Sequence, residues 1–356
     1  MQEPDFQYLD SNGITLRTVV AGEGPLVILL HGWPQSWYLW RHQIAPLAAA
    51  GYCVAVPDQR GYGGSSKPLD VRAYNIRELT ADVAGIARAL GYDEFNLIGH
   101  DWGCLVAWNT ALLHADTCRS VMGLSVPFWR PTSATLNPPG MDDRFWYIRY
   151  FQQQGVSEAE LEEDLPTSLL QLYYGLAADS PFGVWMKQLE FPRSAGLLEA
   201  LPKPDKLPAW LSEEDFTYYL AQYQRSGFRG PNNWYRNMLY NNAITPELDK
   251  ARFTQPAAFV AGSEDDVLLY DPNWRESFPK DFDDLRFIDI VEGAGHWLQV
   301  EKPAETTAQM LRFLNEVEPR CAWLECANEF APTGRPGRCV FFRTLNAPLK
   351  PPPHPA

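Results

Sequence analysis

The stretch Leu97-Ile98-Gly99-His100-Asp101-Trp102-Gly103 reads as the end of a strand, a sharp turn and the start of a helix. Its Gly-x-Asp-x-Gly spacing puts glycine on both sides of a strained strand-to-helix corner, where larger side chains have no room, and exposes the middle residue at the turn. That residue is Asp101. Serine at this position would point to an esterase, lipase or peptidase. A carboxylate instead attacks carbon directly and leaves an ester of the protein itself. The substrate is thereby narrowed to a molecule that can alkylate a carboxylate.

Apolar runs bounded by Gly and Pro surround this corner: Leu16 to Ala21, Leu26 to Leu30, Tyr52 to Pro57, Phe95 to Ile98 and Ser120 to Leu124. They read as strands, and the intervening segments Ile76 to Leu90 and Cys104 to His114 carry apolar residues at helical spacing. This alternation implies an α/β fold, a parallel sheet with helices on both faces. From about Phe128 to Asp249, aromatic residues, prolines and acids replace the β-runs, as expected of an inserted helical cap. Sheet patterning resumes at Ala257 to Ala261 and Leu285 to Ile290, and a last amphipathic helix runs from Pro303 to about Val317. The expected organisation is a discontinuous core, 1–127 and 250–318, wrapped around a cap of 128–249. Residues 319–356 hold eight of the 30 prolines and three of the six cysteines, with little periodicity. They are expected to be a disordered or appended tail, and no function is assigned to them.

A chain of 356 residues with 46% apolar content can bury a sizeable core. Its net charge of −14 argues against nucleic acid as a partner, because phosphate-binding surfaces need clustered Lys and Arg. Met1 to Asp10 has neither a basic nor an apolar region of the kind found in secretory signals. The longest apolar run, Pro25 to Leu30, is too short to span a bilayer. Cys53, Cys104, Cys118, Cys321, Cys326 and Cys339 show no metal-ligand spacing, which fits reduced thiols and a cytoplasmic location.

A carboxylate nucleophile needs a base to recycle it. His31 and His100 lie in strand-turn segments, where bonding to backbone is the expected role. His42 and His114 fall in helical patterns, and His354 is in the tail. His296 remains, in Glu292-Gly293-Ala294-Gly295-His296-Trp297, a glycine-rich loop directly after the last expected strand. A histidine base is usually oriented by a carboxylate. No acid follows the strand ending at Leu124-Ser125-Val126-Pro127, but the loop after Phe259-Val260-Ala261 offers Glu264, Asp265 and Asp266. An acidic loop run is often only a solvated turn; its place just before the histidine loop favours a role. Spacing does not choose among the three.

His31-Gly32-Trp33-Pro34, Asp58-Gln59-Arg60-Gly61-Tyr62-Gly63, Gly99-His100-Asp101-Trp102-Gly103 and Gly295-His296-Trp297, in this order, resemble an α/β-hydrolase-fold epoxide hydrolase. The resemblance spans roughly residues 5 to 318. It implies a mostly parallel eight-stranded sheet, and no phosphatase-like domain of the kind that precedes some vertebrate relatives is expected. Two cap segments, Phe145-Trp146-Tyr147-Ile148-Arg149-Tyr150-Phe151-Gln152 and Phe228-Arg229-Gly230-Pro231-Asn232-Asn233-Trp234-Tyr235-Arg236-Asn237, resemble those that carry ring-opening tyrosines. The match places these roles on Tyr147 and Tyr235. It likewise implies Asp265 as the partner of His296, with Asp266 as competitor, and the backbone N–H groups of Trp33 and Trp102 as an oxyanion hole. Pro34, Trp102, Phe151 and Trp297 are expected to contact the substrate.

The resemblance implies attack by Asp101 on an epoxide carbon, protonation of the ring oxygen by the two phenols, and hydrolysis of the ester by water activated at His296. The partners are then a small epoxide and water, and neither a metal nor an organic cofactor is implied. The aromatic-rich cap is also consistent with a homodimer. Two rival readings remain. A haloalkane or haloacid dehalogenase would use the same Asp-His-Asp ester chemistry with halide-holding groups, although Trp33 stands where haloalkane dehalogenases tend to carry Asn. A catalytically silent ligand-binding relative would keep the pocket alone.

Overall fold

The computed structural model describes residues 4–318. The expected tail, with Cys321, Cys326, Cys339 and His354, lies outside the described residues. Eight strands form one sheet: β1 (Phe6–Ser11), β2 (Ile14–Ala21), β3 (Leu26–Leu30), β4 (Cys53–Pro57), β5 (Phe95–His100), β6 (Cys118–Leu124), β7 (Ala257–Gly262) and β8 (Leu285–Val291). Their order is β1-β2-β4-β3-β5-β6-β7-β8. β1 and β2 pair antiparallel, as do β2 and β4, and every later pairing is parallel.

Seven of these strands coincide with the seven apolar runs to within two residues at an end. Every residue of β3, β4, β5 and β7 is buried, because helices cover both faces of the parallel region. β1 is the strand that apolar periodicity does not reveal. It lies at the sheet edge with polar residues among its exposed positions, so it carries no continuous apolar run. Its signal is the turn instead: Asn12 and Gly13, with φ of 49° and 75°, join β1 to β2 in the geometry that Asn-Gly hairpins favour.

Five of the six parallel strands, β3, β5, β6, β7 and β8, deliver Trp33, Asp101, Ser125, Asp265 and His296 to one edge of the sheet, just beyond their carboxyl ends. Ligands in open α/β sheets bind at this edge. Helix Ile76–Ala89 starts at Asn75, whose side chain accepts the N–H groups of Arg77 and Glu78. Helix Trp102–Leu113 follows the elbow and is buried on most of its circumference.

Between β6 and β7 the described residues form helices and loops, among them Tyr147–Tyr150, Leu165–Gly175, Glu213–Ser226 and Arg229–Tyr235. Several buried or half-buried polar contacts tie them to the sheet-bearing part. Trp37 Nε1 donates to Tyr218 Oη at 2.8 Å, and Tyr38 Oη donates to Asp215 at 2.7 Å. Arg17, ion-paired with Asp58 inside the protein, also donates to Gln222. Leaving either charge of that pair unpartnered would be costly, so the contact with Gln222 helps hold the helical segment in place.

Candidate active site

Asp101 has φ 54° and ψ −122°, a backbone conformation that L-residues rarely adopt. Close packing around the elbow explains its glycines. A Cβ on Gly99 would collide with the carbonyl of Gly103, and one on Gly103 with the carbonyls of Leu30 and His31. A Cβ on Gly32 would strike the Asp101 carboxylate itself. That carboxylate accepts the N–H of Trp33 on Oδ1 at 2.6 Å. Trp102 opens the elbow helix, so its N–H belongs to the first turn, where helical N–H groups have no intrahelical acceptor.

His296 is fully buried and held at every polar backbone atom. Its N–H donates to the Leu176 carbonyl at 2.9 Å, and its carbonyl accepts from His100 Nε2 at 2.8 Å and Ser125 Oγ at 3.2 Å. The imidazole Nδ1 lies 3.1 Å from both oxygens of Asp265, which is buried. Asp265 also accepts the N–H of Val267 at 3.0 Å, which orients the carboxylate. On the other side Nε2 lies 3.6 Å from Asp101 Oδ2. Burial alone would depress the basicity of His296, but the carboxylates of Asp265 and Asp101 outweigh it and lift the pKa to about 10.

The other two strand-turn histidines bond to backbone. Burial, with His296 nearby, lowers the pKa of His100 to about 3; the ring is therefore neutral and donates from Nε2. His31 lies 3.0 Å from the Gly32 carbonyl through Nδ1 and accepts the Gln59 N–H on Nε2 at 3.1 Å, a pattern that assigns the proton to Nδ1. His42 lies in a turn rather than within a helix, and His114 caps the end of the elbow helix.

Of the three acids in the loop after β7, Asp265 faces His296. Asp266 turns the other way and accepts the N–H groups of Gly183 and Trp185 at 2.6 and 2.7 Å, bracing the helical segment. The backbone of Glu264 donates to the Ala294 carbonyl at 2.9 Å.

Tyr147 and Tyr235 come together from two different helices, their ring centroids 5.8 Å apart. Tyr235 packs edge-on against Trp102 at 5.0 Å and against Trp33, whose N–H the Asp101 carboxylate accepts, at 5.9 Å. Phe151 fills the space beside them, 4.9 Å from Tyr235 and 5.1 Å from Trp33. Burial raises the pKa of both phenols, with the Asp101 charge adding to it, so both retain their protons across the physiological range. Pro34 is buried behind a cis peptide to Trp33, and its carbonyl accepts from Tyr173 Oη at 3.0 Å. Trp297 is fully buried, edge-on to His296 at 4.7 Å, with its indole N–H donated to the Tyr173 carbonyl at 2.7 Å.

Three supporting residues are not evident from sequence reasoning. Gln188 accepts the backbone N–H of Tyr147 at 2.9 Å, Asn232 accepts the Trp33 indole N–H at 3.0 Å, and Glu301 brackets the histidine loop.

A family profile of the alpha/beta hydrolase fold matches residues 25–303. Epoxide hydrolase A of Mycobacterium tuberculosis is 42% identical over 329 residues, covering 90% of this chain and 100% of that protein. Epoxide hydrolase B of the same organism is 36% identical, over 83% of this chain and 93% of its own length. Among solved structures, epoxide hydrolase A from Mycobacterium thermoresistibile superposes with a TM-score of 0.81 at 43% identity, covering 88% of this chain and 98% of that one. An epoxide hydrolase from an endophytic Streptomyces gives 0.84 at 36% identity, over 88% and 96%. With the eight-stranded sheet and the strand-end carboxylate, these similarities show that the chain belongs to the epoxide hydrolases of the α/β-hydrolase fold.

Proposed function

We propose that the protein converts an epoxide to a vicinal diol through an ester on Asp101. The observation that carries this reading is the facing arrangement of one carboxylate, set between the Trp33 N–H and His296, and two buried phenols that retain their protons. In this reading residues 128–249 form the cap that brings the phenols, and residues 1–127 and 250–318 form the core that brings the nucleophile, base and acid.

An epoxide carbon is a strained electrophile whose leaving oxygen becomes an alkoxide unless it receives a proton. Tyr147 and Tyr235 hold that oxygen from the cap side while Asp101 attacks carbon from the core side. His296, oriented by Asp265, then takes a proton from water, and the resulting hydroxide attacks the ester carbonyl. The oxyanion is received by the N–H groups of Trp33 and Trp102, each worth on the order of 3 kcal/mol. Expulsion of the diol restores the Asp101 carboxylate.

The charges order the two steps. Before reaction the anions of Asp101 and Asp265 keep His296 protonated at neutral pH. Alkylation turns Asp101 into a neutral ester and removes one of them. The imidazolium is then free to release its proton, which balances the proton the phenols gave to the alkoxide. Only then is His296 a neutral base. Water activation thus follows ester formation, and the imidazolium is regenerated when Asp101 is released.

Dehalogenation would need donors for a departing halide. The indole N–H of Trp33 is already committed to Asn232, which favours the epoxide reading. The deciding experiment pairs a diol assay on styrene oxide with a chloride-release assay on a chloroalkane. Diol without halide is expected; halide without diol would overturn the reading.

A further inference from the structure

Glu301 is partly buried and accepts three backbone N–H groups. Its Oε2 takes those of Gly295 at 3.0 Å and Ala178 at 2.9 Å, and its Oε1 takes that of Trp297 at 2.9 Å. Gly295 and Trp297 are the two residues flanking His296. Ala178 lies in the turn that follows helix Leu165–Gly175, two residues beyond Leu176, which receives the His296 N–H. The histidine loop and this segment are in direct contact, since a Cβ on Gly295 would run into Ala177 and Ala178. A single carboxylate therefore closes a bridge between the two neighbours of the base and the part of the chain that carries Tyr147.

The side chain takes no part in the proposed bond-making. Its nearest link to the chemistry is through the backbone on either side of His296. Burial lifts its pKa to about 7 even against three N–H donors, so the folded protein keeps a carboxylate here at a cost to its stability. An uncharged acceptor would be the less costly choice if filling space were all that mattered. A protonated carboxyl or an amide cannot accept on both oxygens as well as a carboxylate does.

We infer that Glu301 is a positioning residue: it fixes the height and angle of the His296 imidazole and ties that loop to the 176–178 segment of the cap. This rests on the reading of Asp101 as nucleophile and His296 as base of the second step. A residue that acts only by placing His296 should leave the first step alone and slow the second.

The experiment is a rapid-mixing, intact-mass measurement with styrene oxide on the full chain, comparing the parent, Glu301→Gln, Glu301→Asp and His296→Asn. Glu301→Gln is expected to form the Asp101 ester within about twofold of the parental rate and to hydrolyse it about tenfold or more slowly, so the adduct accumulates during turnover. Glu301→Asp keeps an acceptor-only carboxylate one carbon short of its donors and should fall between the two. It also carries the test if the Gln variant does not fold. Parental hydrolysis of the ester in both Glu301 variants, with accumulation in His296→Asn, would overturn the inference and leave the catalytic reading standing. Equal slowing of both steps would also overturn it, since that is the signature of general damage. Absence of adduct in His296→Asn would overturn the catalytic reading beneath it.

Discussion

The Nε2 atom of His296 lies 3.6 Å from Oδ2 of Asp101, near enough for the charges to interact strongly and just beyond hydrogen-bond distance. The proposed base and nucleophile thus face each other directly, and in this reading the protonation state of one depends on whether the other still bears its charge. Asp265 on the far ring nitrogen is the constant part of this field, while Asp101 is the part that the reaction removes.

Replacing Asp265 with Asn should therefore damage the second step far more than the first. The imidazole would lose both its orienting partner and the charge that favours imidazolium in the transition state. Ester hydrolysis is expected to slow by about 10²- to 10⁴-fold. Single-turnover decay of the adduct measures this; unchanged decay would remove Asp265 from the mechanism.

In the proposed mechanism the phenols act in the first step. Tyr147→Phe and Tyr235→Phe should each slow ester formation about tenfold or more, and the double change by about 10²-fold or more, because the alkoxide would then leave without a proton. Burst-phase adduct formation is the measurement. A double variant that alkylates at the parental rate would mean that another group protonates the oxygen.

Asp266→Asn should behave differently from Asp265→Asn. Asp266 accepts two N–H groups of the 183–185 loop, so its loss is predicted to destabilise that loop while leaving the His296 pair intact. The cost should be about 1–3 kcal/mol by thermal or chemical denaturation. Loss of ester hydrolysis comparable to that of the Asp265 variant would contradict this division of labour.

Glu301 makes a prediction about stability and pH. Its carboxyl is raised from 4.5 to about 7 by burial, with Asp265 adding to the shift and the three N–H groups opposing it. A raised pKa in the folded state means that its contribution is full below about pH 4.5 and is lost as pH rises through about 7. Between pH 5 and 8 the parent should therefore lose stability relative to Glu301→Gln by on the order of 2 kcal/mol, discounted for partial exposure. Denaturation midpoints of the two proteins across this range give the difference. A parent that gained stability relative to Glu301→Gln as pH rises would contradict the assignment.

How much of this was legible in the sequence follows from how local each signal is. The turns that carry Asp101 and His296 were readable because a glycine pattern within a few residues enforces each of them. The central strands were readable because burial on both faces writes a continuous apolar run; β8, at one edge and half-buried, keeps enough apolar residues to be read, whereas exposed polar residues interrupt β1 at the other edge. Asp265 and Asp266 are adjacent and chemically identical. What separates them is chain direction: Asp265 is extended at φ −83° and ψ 107°, and Asp266 begins the next turn, so their carboxylates reach different neighbours. Gln188 and Glu301 act through backbone groups brought close by the fold, and Asn232 through an indole from a distant loop. Such contacts leave no spacing to read.

The central claim is that Asp101 is alkylated and His296 releases it. Its most direct test is intact-mass spectrometry of His296→Asn after incubation with styrene oxide, followed by peptide mapping. A stable mass increase equal to one epoxide, located on Asp101, is expected. An unmodified Asp101 in a folded variant that still binds the epoxide would contradict it.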